Sequence, residues 1–541
     1  MKKYILILCA AMFAVSCSKD EELEKTDLNN VVVTGNLSDQ ITDENISKIT
    51  RLALNGIISG EDWNILFEMA TMGSLEVLDM SNAKINGVEG IDCWNDNEIP
   101  EYIFSGSKNL KEVFLPKDLR TIGEEAFSNC KKLTTVHFPD KIDSIATRAF
   151  YKSGLSGEFN VPKQLRVVGK QAFGSTKFNK VVIHSDVLAA KDNTVYTLYG
   201  NSVFADCDEL TEVIVKEGCT MLELGFSHCT SLTKVSLPSS LEKIGYLSEY
   251  THNYIFNKCE NLETITLPKD LWFIGYDAFS YTALKTIDIP DKVQYICAFH
   301  NCELLEKVIL PSALIKIDHS GFEGCKMLDN ITIPENVSEI GYSAFEGCTS
   351  LQSISFEGNV SSIGNSAFEG CTSLQSISFE GNVSSIGKEA FINCTSLNTV
   401  ILPSGLESLG SSAFSGCSSL SKVVMSDKLK EIESTTFKDC VELQDVTFGK
   451  SIGTIGSSSF FHCPKLTKLI IPVTVKNIED YAFSYTGLSD LTVMWPSPIV
   501  INNNVFDGIN LSKSTLIVPL GTKELYKATP GWQNFGAIEE L

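Results

Sequence analysis

A passage of 22 residues is written twice in this chain without a single difference between the copies. The sequence SAFEGCTSLQSISFEGNVSSIG occupies 343–364 and returns at 366–387, a step of 23 residues. Identical neighbouring copies are typical of a stacked repeat, in which each copy contacts only the copies on either side. A catalytic site instead needs different side chains that converge on one point. The duplication therefore favours a repetitive architecture.

The 23-residue step extends far beyond the duplicated passage. Phenylalanine recurs at this step at Phe299, Phe322, Phe345, Phe368, Phe391, Phe414, Phe437, Phe460, Phe483 and Phe506. Cysteine follows three residues later in eight successive copies, at Cys302, Cys325, Cys348, Cys371, Cys394, Cys417, Cys440 and Cys463. Earlier, less evenly spaced members are Phe104, Phe127, Phe150, Phe173, Phe204, Phe226, Phe256 and Phe279. The sequence thus predicts about 18 coils of about 23 residues, which bury one continuous core when stacked.

One copy, 322–343, predicts the path of a coil. Ile331 and Ile333 alternate with Thr332, so a strand here points its isoleucines inward and its threonine outward. Pro334 has no backbone N–H and ends the strand pairing. The chain then turns back and enters a short helical turn that carries the next core phenylalanine.

The consensus of the copies, L-x-x-I-x-L-P-x-x-L-x-x-I-G-x-x-A-F-x-G-C, resembles the BspA-like leucine-rich repeat of bacterial surface proteins. The resemblance covers roughly 110–509. It implies a right-handed leucine-rich-repeat solenoid of parallel β-strands with short helical turns. Four copies replace the strand-ending proline, at Glu357, Glu380, Ser426 and Gly449. We expect a different strand edge in the middle of the array for that reason.

The N-terminal residues predict export and a lipid anchor. Lys2 and Lys3 precede an apolar run, 4–15, that is too short to span a bilayer. Residues 14–17 resemble a bacterial lipoprotein box with Cys17 as the lipidated residue, and the acidic stretch that follows resembles the surface-export signal of lipoproteins in Bacteroides-type bacteria. We expect a lipid-anchored protein of the outer membrane, exposed on the cell surface. An ordinary cleaved signal peptide is the alternative.

Five segments follow from these patterns. They are a lipoprotein signal peptide at 1–16, a flexible tether at 17–30, an N-terminal cap with a first atypical repeat at 31–100, the repeat array at 101–510 and a C-terminal cap at 511–541. Caps are expected because the end coils of a solenoid expose their core. In the first cap, Ser59 is expected to cap a helix over 61–72. One face of that helix carries Trp63, Leu66, Phe67 and Ala70.

Charge and motif content narrow the function. The chain holds 44 Lys and Arg against 67 Asp and Glu, a net charge of −23, which repels phosphate backbones and argues against a nucleic-acid partner. No C-x-x-C, H-E-x-x-H or phosphate-binding glycine loop occurs, so we expect no enzyme, no metal and no cofactor. The cysteine column is expected to hold free, core-filling thiols, because parallel side chains make poor disulfides.

The outward strand position between the two buried ones forms a column that is small, β-branched and nearly uncharged. It consists of Ser236, Thr266, Asp288, Ile309, Thr332, Ser355, Ser378, Ile401, Val424, Thr447 and Ile470. A repeated sheet face of this kind suits an extended partner. The alternative is that β-branched residues simply suit strands.

Two coils carry insertions that are rich in aromatic residues. The step is 31 residues from Phe173 to Phe204 and 30 from Phe226 to Phe256. Insertions in repeat proteins collect on one face, which is often the binding face. Exposed rings there stack on sugars or anchor a protein, whereas packed rings only hold the loops still. The candidate ligand-binding residues are Tyr196, Tyr199, Tyr246, Tyr250, His252, Tyr254, Trp272 and Tyr276.

The resemblance implies adhesion, and the predicted function is a cell-surface binding protein that presents a long repetitive face to host or bacterial protein partners. One alternative is a glycan-capture surface lipoprotein that uses the aromatic insertion loops. Another is a structural envelope spacer without a soluble ligand. The expected partner is an extracellular protein or glycan, with membrane contact only through the lipid anchor. Asp143-Ser144-Ile145 also resembles the O-glycosylation acceptor of Bacteroides-type bacteria, which makes Ser144 a candidate modification site.

Overall fold

The computed structural model describes residues 30–87, 95–189, 202–246, 253–358, 360–379 and 383–541. The chain divides into two compact units. Unit 1 consists of Met1–Pro238 and Asn253–Ile255, and unit 2 of Ser239–His252 and Phe256–Leu541.

In its described residues, unit 1 consists mainly of short parallel strands, with two helices between residues 43 and 71. The helices are α1 (Asp43–Ile46) and α2 (Gly60–Thr71). The strands are β1 (Val31–Val33), β2 (Arg51–Leu54), β3 (Ile57–Ile58), β4 (Val77–Asp79), β5 (Lys84–Ile85), β6 (Glu98–Ile99), β7 (Glu112–Phe114), β8 (Thr121–Ile122), β9 (Thr135–His137), β10 (Ser144–Ile145), β11 (Ser156–Asn160), β12 (Val167–Val168), β13 (Lys177–Ile183), β14 (Leu188–Ala189), β15 (Glu212–Val215), β16 (Met221–Leu222) and β17 (Lys234–Ser236). Its sheets run in the orders β1-β2-β4-β7-β9, β11-β13-β15-β17 and β14-β12-β10-β8-β6, with β3 paired to β5.

Helix α2 confirms the helix predicted near 61–72. The Asp62 carboxylate accepts hydrogen bonds from the backbone N–H of Ser59 at 3.0 Å and of Leu37 at 2.9 Å, which fixes the start of the helix. Trp63, Leu66 and Ala70 are buried as predicted, but Phe67 is 36% exposed. At 100° per residue, Phe67 lies about a quarter turn from the centre of the buried face.

Unit 2 repeats the same strand pattern with greater regularity. Its strands are β18 (Lys243–Ile244), β19 (Phe273–Ile274), β20 (Thr286–Asp288), β21 (Tyr295–Ile296), β22 (Lys307–Ile309), β23 (Lys316–Ile317), β24 (Asn330–Ile333), β25 (Glu339–Ile340), β26 (Ser353–Phe356), β27 (Ser362–Ile363), β28 (Ser376–Ile377), β29 (Ser385–Ile386), β30 (Thr399–Ile401), β31 (Ser408–Leu409), β32 (Lys422–Val424), β33 (Glu431–Ile432), β34 (Asp445–Thr447), β35 (Thr454–Ile455), β36 (Lys468–Ile471), β37 (Asn477–Ile478), β38 (Asp490–Val493), β39 (Thr515–Val518) and β40 (Ala537–Glu540). The longer strands pair as β20-β22, β24-β26-β28-β30-β32-β34 and β36-β38-β39-β40, and the two-residue strands as β21-β23-β25-β27-β29-β31 and β33-β35-β37. Each coil of this region thus contributes one strand to each of two parallel stacks.

The core of each unit is a column of stacked phenylalanine rings. In unit 1 the centroids from Phe104 to Phe226 lie 5.0–5.4 Å apart. In unit 2 those from Phe256 to Phe506 lie 5.1–5.9 Å apart. Nearly parallel rings at one ring per coil confirm the predicted leucine-rich-repeat solenoid. Over the described ranges the chain makes about 21 turns rather than 18, because β1, β2 and β4 stack ahead of the first phenylalanine of the column.

The eight predicted ladder cysteines, Cys302 to Cys463, are free, buried thiols, which confirms that expectation. Each thiol also donates a hydrogen bond to the carbonyl of the core phenylalanine one coil earlier. Cys325 Sγ lies 3.2 Å from the Phe299 oxygen, and Cys348 Sγ lies 3.1 Å from the Phe322 oxygen. The cysteines therefore fill the core and also tie successive coils together.

Each regular coil places two residues in the left-handed backbone region, two positions before and two after the core phenylalanine. The second position is often glycine, as at Gly324, Gly347, Gly370 and Gly416, with φ near +70°. At Gly416 a side chain is also excluded sterically, since a Cβ would lie 2.4 Å from Asn393 Oδ1. Twelve of the eighteen coils carry a larger residue at this second position instead.

The strand edge changes where the repeat lacks its proline. The N–H of Glu357 donates to the Ile333 carbonyl at 2.9 Å, a bond that proline is unable to make. Pairing therefore continues one residue further in this coil, as expected. Glu380 lies outside the described residues.

The end of unit 2 is closed by β39, β40, the short helix α3 (Lys523–Lys527) and 3₁₀ turns at Leu511–Lys513 and Trp532–Asn534. Trp532 is completely buried and donates its indole N–H to the Ile499 carbonyl at 2.8 Å. Its ring contacts the last core ring, Phe506, edge to face at 5.9 Å. The exposed end of the phenylalanine column is thereby covered.

Candidate functional site

The outward strand column is exposed in unit 2, as its alternation predicts. Ile309, Ile401 and Ile470 are 50%, 62% and 63% exposed. Ile401, Val424 and Thr447 are paired in register, and Ile470 takes the same place in the next coil. We call Ile401, Val424, Thr447 and Ile470 the isoleucine stripe. Four adjacent coils thus hold a continuous row of β-branched side chains on an open sheet face.

Charges of alternating sign border the isoleucine stripe. Two residues before Val424, Thr447 and Ile470, successive strands carry Lys422, Asp445 and Lys468, with Asp490 on the strand after them. Lys422 pairs in register with Asp445, and Lys468 Nζ lies 3.6 Å from Asp490 Oδ2. The border has no net charge although the chain as a whole is strongly acidic. These four border residues therefore add no net repulsion toward an acidic partner.

The described residues of the predicted aromatic site are only partly exposed to solvent. Tyr196, Tyr199, Tyr250 and His252 lie outside the described residues. Tyr246 is only 7% exposed, and Tyr254 is half-buried. These two rings pack against protein rather than offering a free face.

Trp272 and Tyr276 lie in the coil that follows the second insertion. Trp272 is 38% exposed, with Lys243 Nζ 5.0 Å from its ring centroid. The half-buried Tyr276 donates its hydroxyl to Asp318 Oδ2 at 3.1 Å, and burial raises the pKa of this tyrosine above its ordinary value. Of the four described candidates in this set, Trp272 is the one with an exposed ring.

Ser144 lies within β10, in the middle of a five-stranded sheet. It is half-buried, and its N–H donates to the Arg120 carbonyl at 3.0 Å. Asp143 of the same motif is held by Arg120 Nη1 at 2.7 Å. Modification of Ser144 remains a prediction. Cys17, the predicted lipidation site, lies outside the described residues.

A polar cavity of about 260 Å³ lies beside this sheet in unit 1. Two of its cations are already paired, Lys141 with Asp118 at 2.5 Å and Arg120 with Asp143. Its lining consists of Lys84, Ile85, Asn86, Asp96, Asn97, Asp118, Arg120 and Lys141.

The ladder thiols have no nucleophilic character. Burial raises the pKa of Cys348 and of Cys417 to about 12, so both are protonated at neutral pH. Among the described residues, no group of three or more His, Cys, Asp or Glu side chains is placed to hold a metal ion. No helix in the described part of the chain is both long and apolar enough to cross a membrane.

Sequence reasoning missed an exposed group near the end of unit 2. Tyr485 is 53% exposed, and it stands beside Phe461 and His462 in successive coils. The available signal was the departure from glycine two residues after the core phenylalanine, where Asp439, His462 and Tyr485 follow one another. Twelve of the eighteen coils carry a residue other than glycine at this position, so the departure alone did not single out these three coils.

Parallel strands stacked in register, a column of core aromatic rings and an open strand face define a leucine-rich-repeat solenoid. Sequence comparison identifies the family, since the model of the BspA type leucine rich repeat region matches at 95–198, 190–298, 297–421 and 407–521. The chain belongs to the BspA type leucine-rich-repeat family. A search of curated proteins gives no match.

Several solved structures resemble the chain. A leucine-rich repeat protein from Bacteroides ovatus is 26% identical, with 70% of this chain and 84% of that one covered and a TM-score of 0.45. The leucine rich repeat protein of T. pallidum is 28% identical, with 34% and 83% covered and a TM-score of 0.30. A leucine rich cell surface protein from Faecalibacterium prausnitzii is 20% identical, with 80% and 96% covered and a TM-score of 0.36. Family membership is consistent with a protein-interaction or cell-surface role, and this fold is typically non-catalytic.

Proposed function

We propose that this chain is a cell-surface adhesion protein that binds extracellular proteins of a host or of other bacteria through the strand face of unit 2. The observation that carries the proposal is the isoleucine stripe, a row of β-branched side chains on four successive coils, of which Ile401, Thr447 and Ile470 are exposed and Val424 is half-buried. Isolated exposed apolar residues are ordinary, but an aligned row on an open sheet is typical of an interaction surface.

The energetics of the stripe suit a moderate, repeated contact. Burial of an exposed isoleucine contributes roughly 1–2 kcal/mol, so two such residues with Val424 supply about half of the free energy of a micromolar complex. The alternating charges of Lys422, Asp445 and Lys468 fix the register of a bound partner without favouring a partner of either net charge. Adhesion then gains strength from many copies of the protein on one cell.

The test replaces Ile401 and Ile470 together by aspartate in the mature chain. Binding is measured by biolayer interferometry against a panel of immobilised extracellular-matrix proteins and against fixed bacterial cells. The matched control is Val473→Asp, which alters a residue that is 55% exposed but follows the strand. We expect at least a tenfold weaker complex for the double variant and no change for the control. Equal loss in both, or no binding of wild type to any member of the panel, rejects the proposal.

The location in the cell is part of the same proposal. We propose attachment to the outer face of the outer membrane through a lipid on Cys17, on the strength of the N-terminal sequence. Protease treatment of intact cells should then remove the repeat array while a periplasmic marker survives, and Cys17→Ser should release the protein from the membrane. Digestion only after lysis would rule out adhesion from the surface.

A second candidate function, glycan capture for uptake, is favoured by the exposed ring of Trp272 beside the insertion at 247–253. Deletion of 191–199 and 247–253 should then abolish carbohydrate binding and leave adhesion intact. A pure envelope spacer would bind nothing in either assay.

A further inference from the structure

An aromatic and charged group lies in the helical turns of the last coils of unit 2. It consists of Lys438, Asp439, Phe461, His462 and Tyr485, which we call the Tyr485 cluster. The Tyr485 ring is 53% exposed, and the side chains of His462 and Lys438 are 51% and 41% exposed. None of these residues belongs to the strand face or to the aromatic insertions, so the cluster is a separate surface.

The backbone holds the three polar and aromatic members in one column. Asp439, His462 and Tyr485 each lie two positions after the core phenylalanine of their coil, in the left-handed backbone region, with φ of +58°, +56° and +57°. The N–H of Asp439 donates to Phe461, that of His462 to Ser484 and that of Tyr485 to Asp507, at 2.8–2.9 Å. Each residue is therefore fixed one coil from the next, which pre-organises the cluster.

The side chains form a platform with polar groups along one side. Phe461 and Tyr485 meet edge to face, with centroids 5.3 Å apart. The Tyr485 ring covers the backbone of Gly508, where a Cβ would lie 2.6 Å from Tyr485 Cδ1. The absence of a side chain at Gly508 therefore lets this ring lie against the next coil.

The polar groups are linked to one another and to the platform. His462 Nδ1 lies 2.8 Å from Asp439 Oδ1, and Lys438 Nζ lies 3.9 Å from Asp439 Oδ2. Lys438 Nζ also lies 5.7 Å from the centroid of Phe461. Asp439 thus orients a cation on one side and an imidazole on the other, and donors and acceptors stand beside an aromatic surface.

We infer that the Tyr485 cluster is a binding site for a neutral polysaccharide. The apolar C–H face of a pyranose ring stacks on Tyr485, and the sugar hydroxyls exchange hydrogen bonds with Lys438, Asp439 and His462. The charges of Lys438 and Asp439 cancel locally, whereas the chain as a whole carries −23. A neutral ligand fits both facts, because an anionic polymer would meet the acidic surface around the site.

The site goes beyond the proposed protein adhesion and does not depend on it. The rings are bordered by Lys438, Asp439 and His462, whose partly exposed side chains leave hydrogen-bonding atoms open to solvent beside the stacking surface. A sugar, whose hydroxyls need partners at the edge of the stacking surface, matches that composition better than a protein loop.

The test measures binding of the mature chain to soluble mannan, dextran, galactan and xylan, by affinity electrophoresis and calorimetry. Tyr485→Ala removes the stacking ring, Tyr485→Phe keeps it, and His462→Ala removes a hydrogen-bonding group without altering the platform. The matched control is Tyr342→Ala, since Tyr342 is 50% exposed in the same unit and its ring lies 6.3 Å from that of His319, outside the Tyr485 cluster. Circular dichroism of every variant checks the fold.

We expect retardation of wild type by at least one of the four polysaccharides. Tyr485→Ala and His462→Ala should weaken that binding at least tenfold, and Tyr485→Phe and Tyr342→Ala less than twofold. The double variant of Ile401 and Ile470 should keep polysaccharide binding, which separates this site from the proposed adhesion face. The inference is overturned if wild type binds none of the four polymers, if Tyr342→Ala loses as much affinity, or if Tyr485→Ala impairs only protein binding.

Discussion

Like charges are stacked in the middle of unit 2 as a result of the repeat. Glu323, Glu346 and Glu369 each follow the core phenylalanine of their coil, so their backbones lie about 4.8 Å apart. All three are half-buried, and His300 stands at one end with its Nε2 3.6 Å from Glu323 Oε1. Burial, followed by repulsion from Glu369 and Glu323, raises the pKa of Glu346 above its ordinary value. The central glutamate is therefore destabilising when it is ionised.

Replacement of Glu346 by glutamine should raise the stability of the protein at pH 7.5. Two unit charges roughly 5–6 Å apart repel by about 1 kcal/mol at a dielectric constant near 70, and solvent and salt reduce this further. With a neighbour on each side, we expect a gain of about 0.5–1 kcal/mol. The gain should shrink in 1 M salt.

The pH dependence has a definite sign. A carboxyl group with a raised pKa in the folded state binds its proton more tightly there than in the unfolded chain, so the wild type gains stability as pH falls through that folded pKa. The advantage of Glu346→Gln should therefore be full at pH 7.5, shrink as pH falls through the folded pKa of Glu346, and vanish only below the ordinary glutamate pKa, where the side chain is protonated in both states.

Urea unfolding followed by circular dichroism at several pH values measures the effect. The control is Glu303→Gln, because Glu303 is exposed and lies 2.7 Å from Lys326 Nζ, so its loss should be neutral or slightly destabilising. If the urea midpoint of Glu346→Gln is unchanged at pH 7.5, or is raised equally at low pH, then the neighbouring glutamates do not destabilise ionised Glu346.

Three further outcomes follow from the coil geometry. The buried thiol of Cys348, with a pKa raised to about 12, should not react with an aromatic disulfide reagent at pH 8 until the protein is unfolded; rapid labelling of the native protein would contradict this. Gly416→Ala should cost about 1–2 kcal/mol or more in urea unfolding, because φ is +73° and the new Cβ meets Asn393 Oδ1, whereas Gly405→Ala, with its nearest neighbour 3.7 Å away, is the milder control. Deletion of 343–365 removes one period and should leave a cooperative fold with an unchanged circular dichroism spectrum per residue; a collapse of the fold would mean that this coil has partners beyond its neighbours.

The interior of each coil was predictable, and its surface only in part. Ile331, Ile333 and the phenylalanine column follow from a local period that every copy repeats, so each copy supports the same interpretation. The burial of Tyr246 depends on how its coil packs, which no repeat pattern encodes. The Tyr485 cluster was missed for a related reason, because its members are adjacent only after coils 23 residues apart are stacked.

The hydrogen bond from each cysteine has a direction that matters for how the stack comes apart. Cys302 reaches the Phe279 carbonyl of the coil before it, whereas Thr282 and Thr486, at the cysteine position of their coils, donate to the phenylalanine of their own coil at 2.8 Å. The boundaries in front of the Phe279 and Phe483 coils therefore lack the side-chain hydrogen bond between coils that cysteine supplies elsewhere. Under a pulling force or near the denaturation midpoint, these boundaries should open first, and the run of coils from Phe279 to Phe460 should unfold after them as a single block.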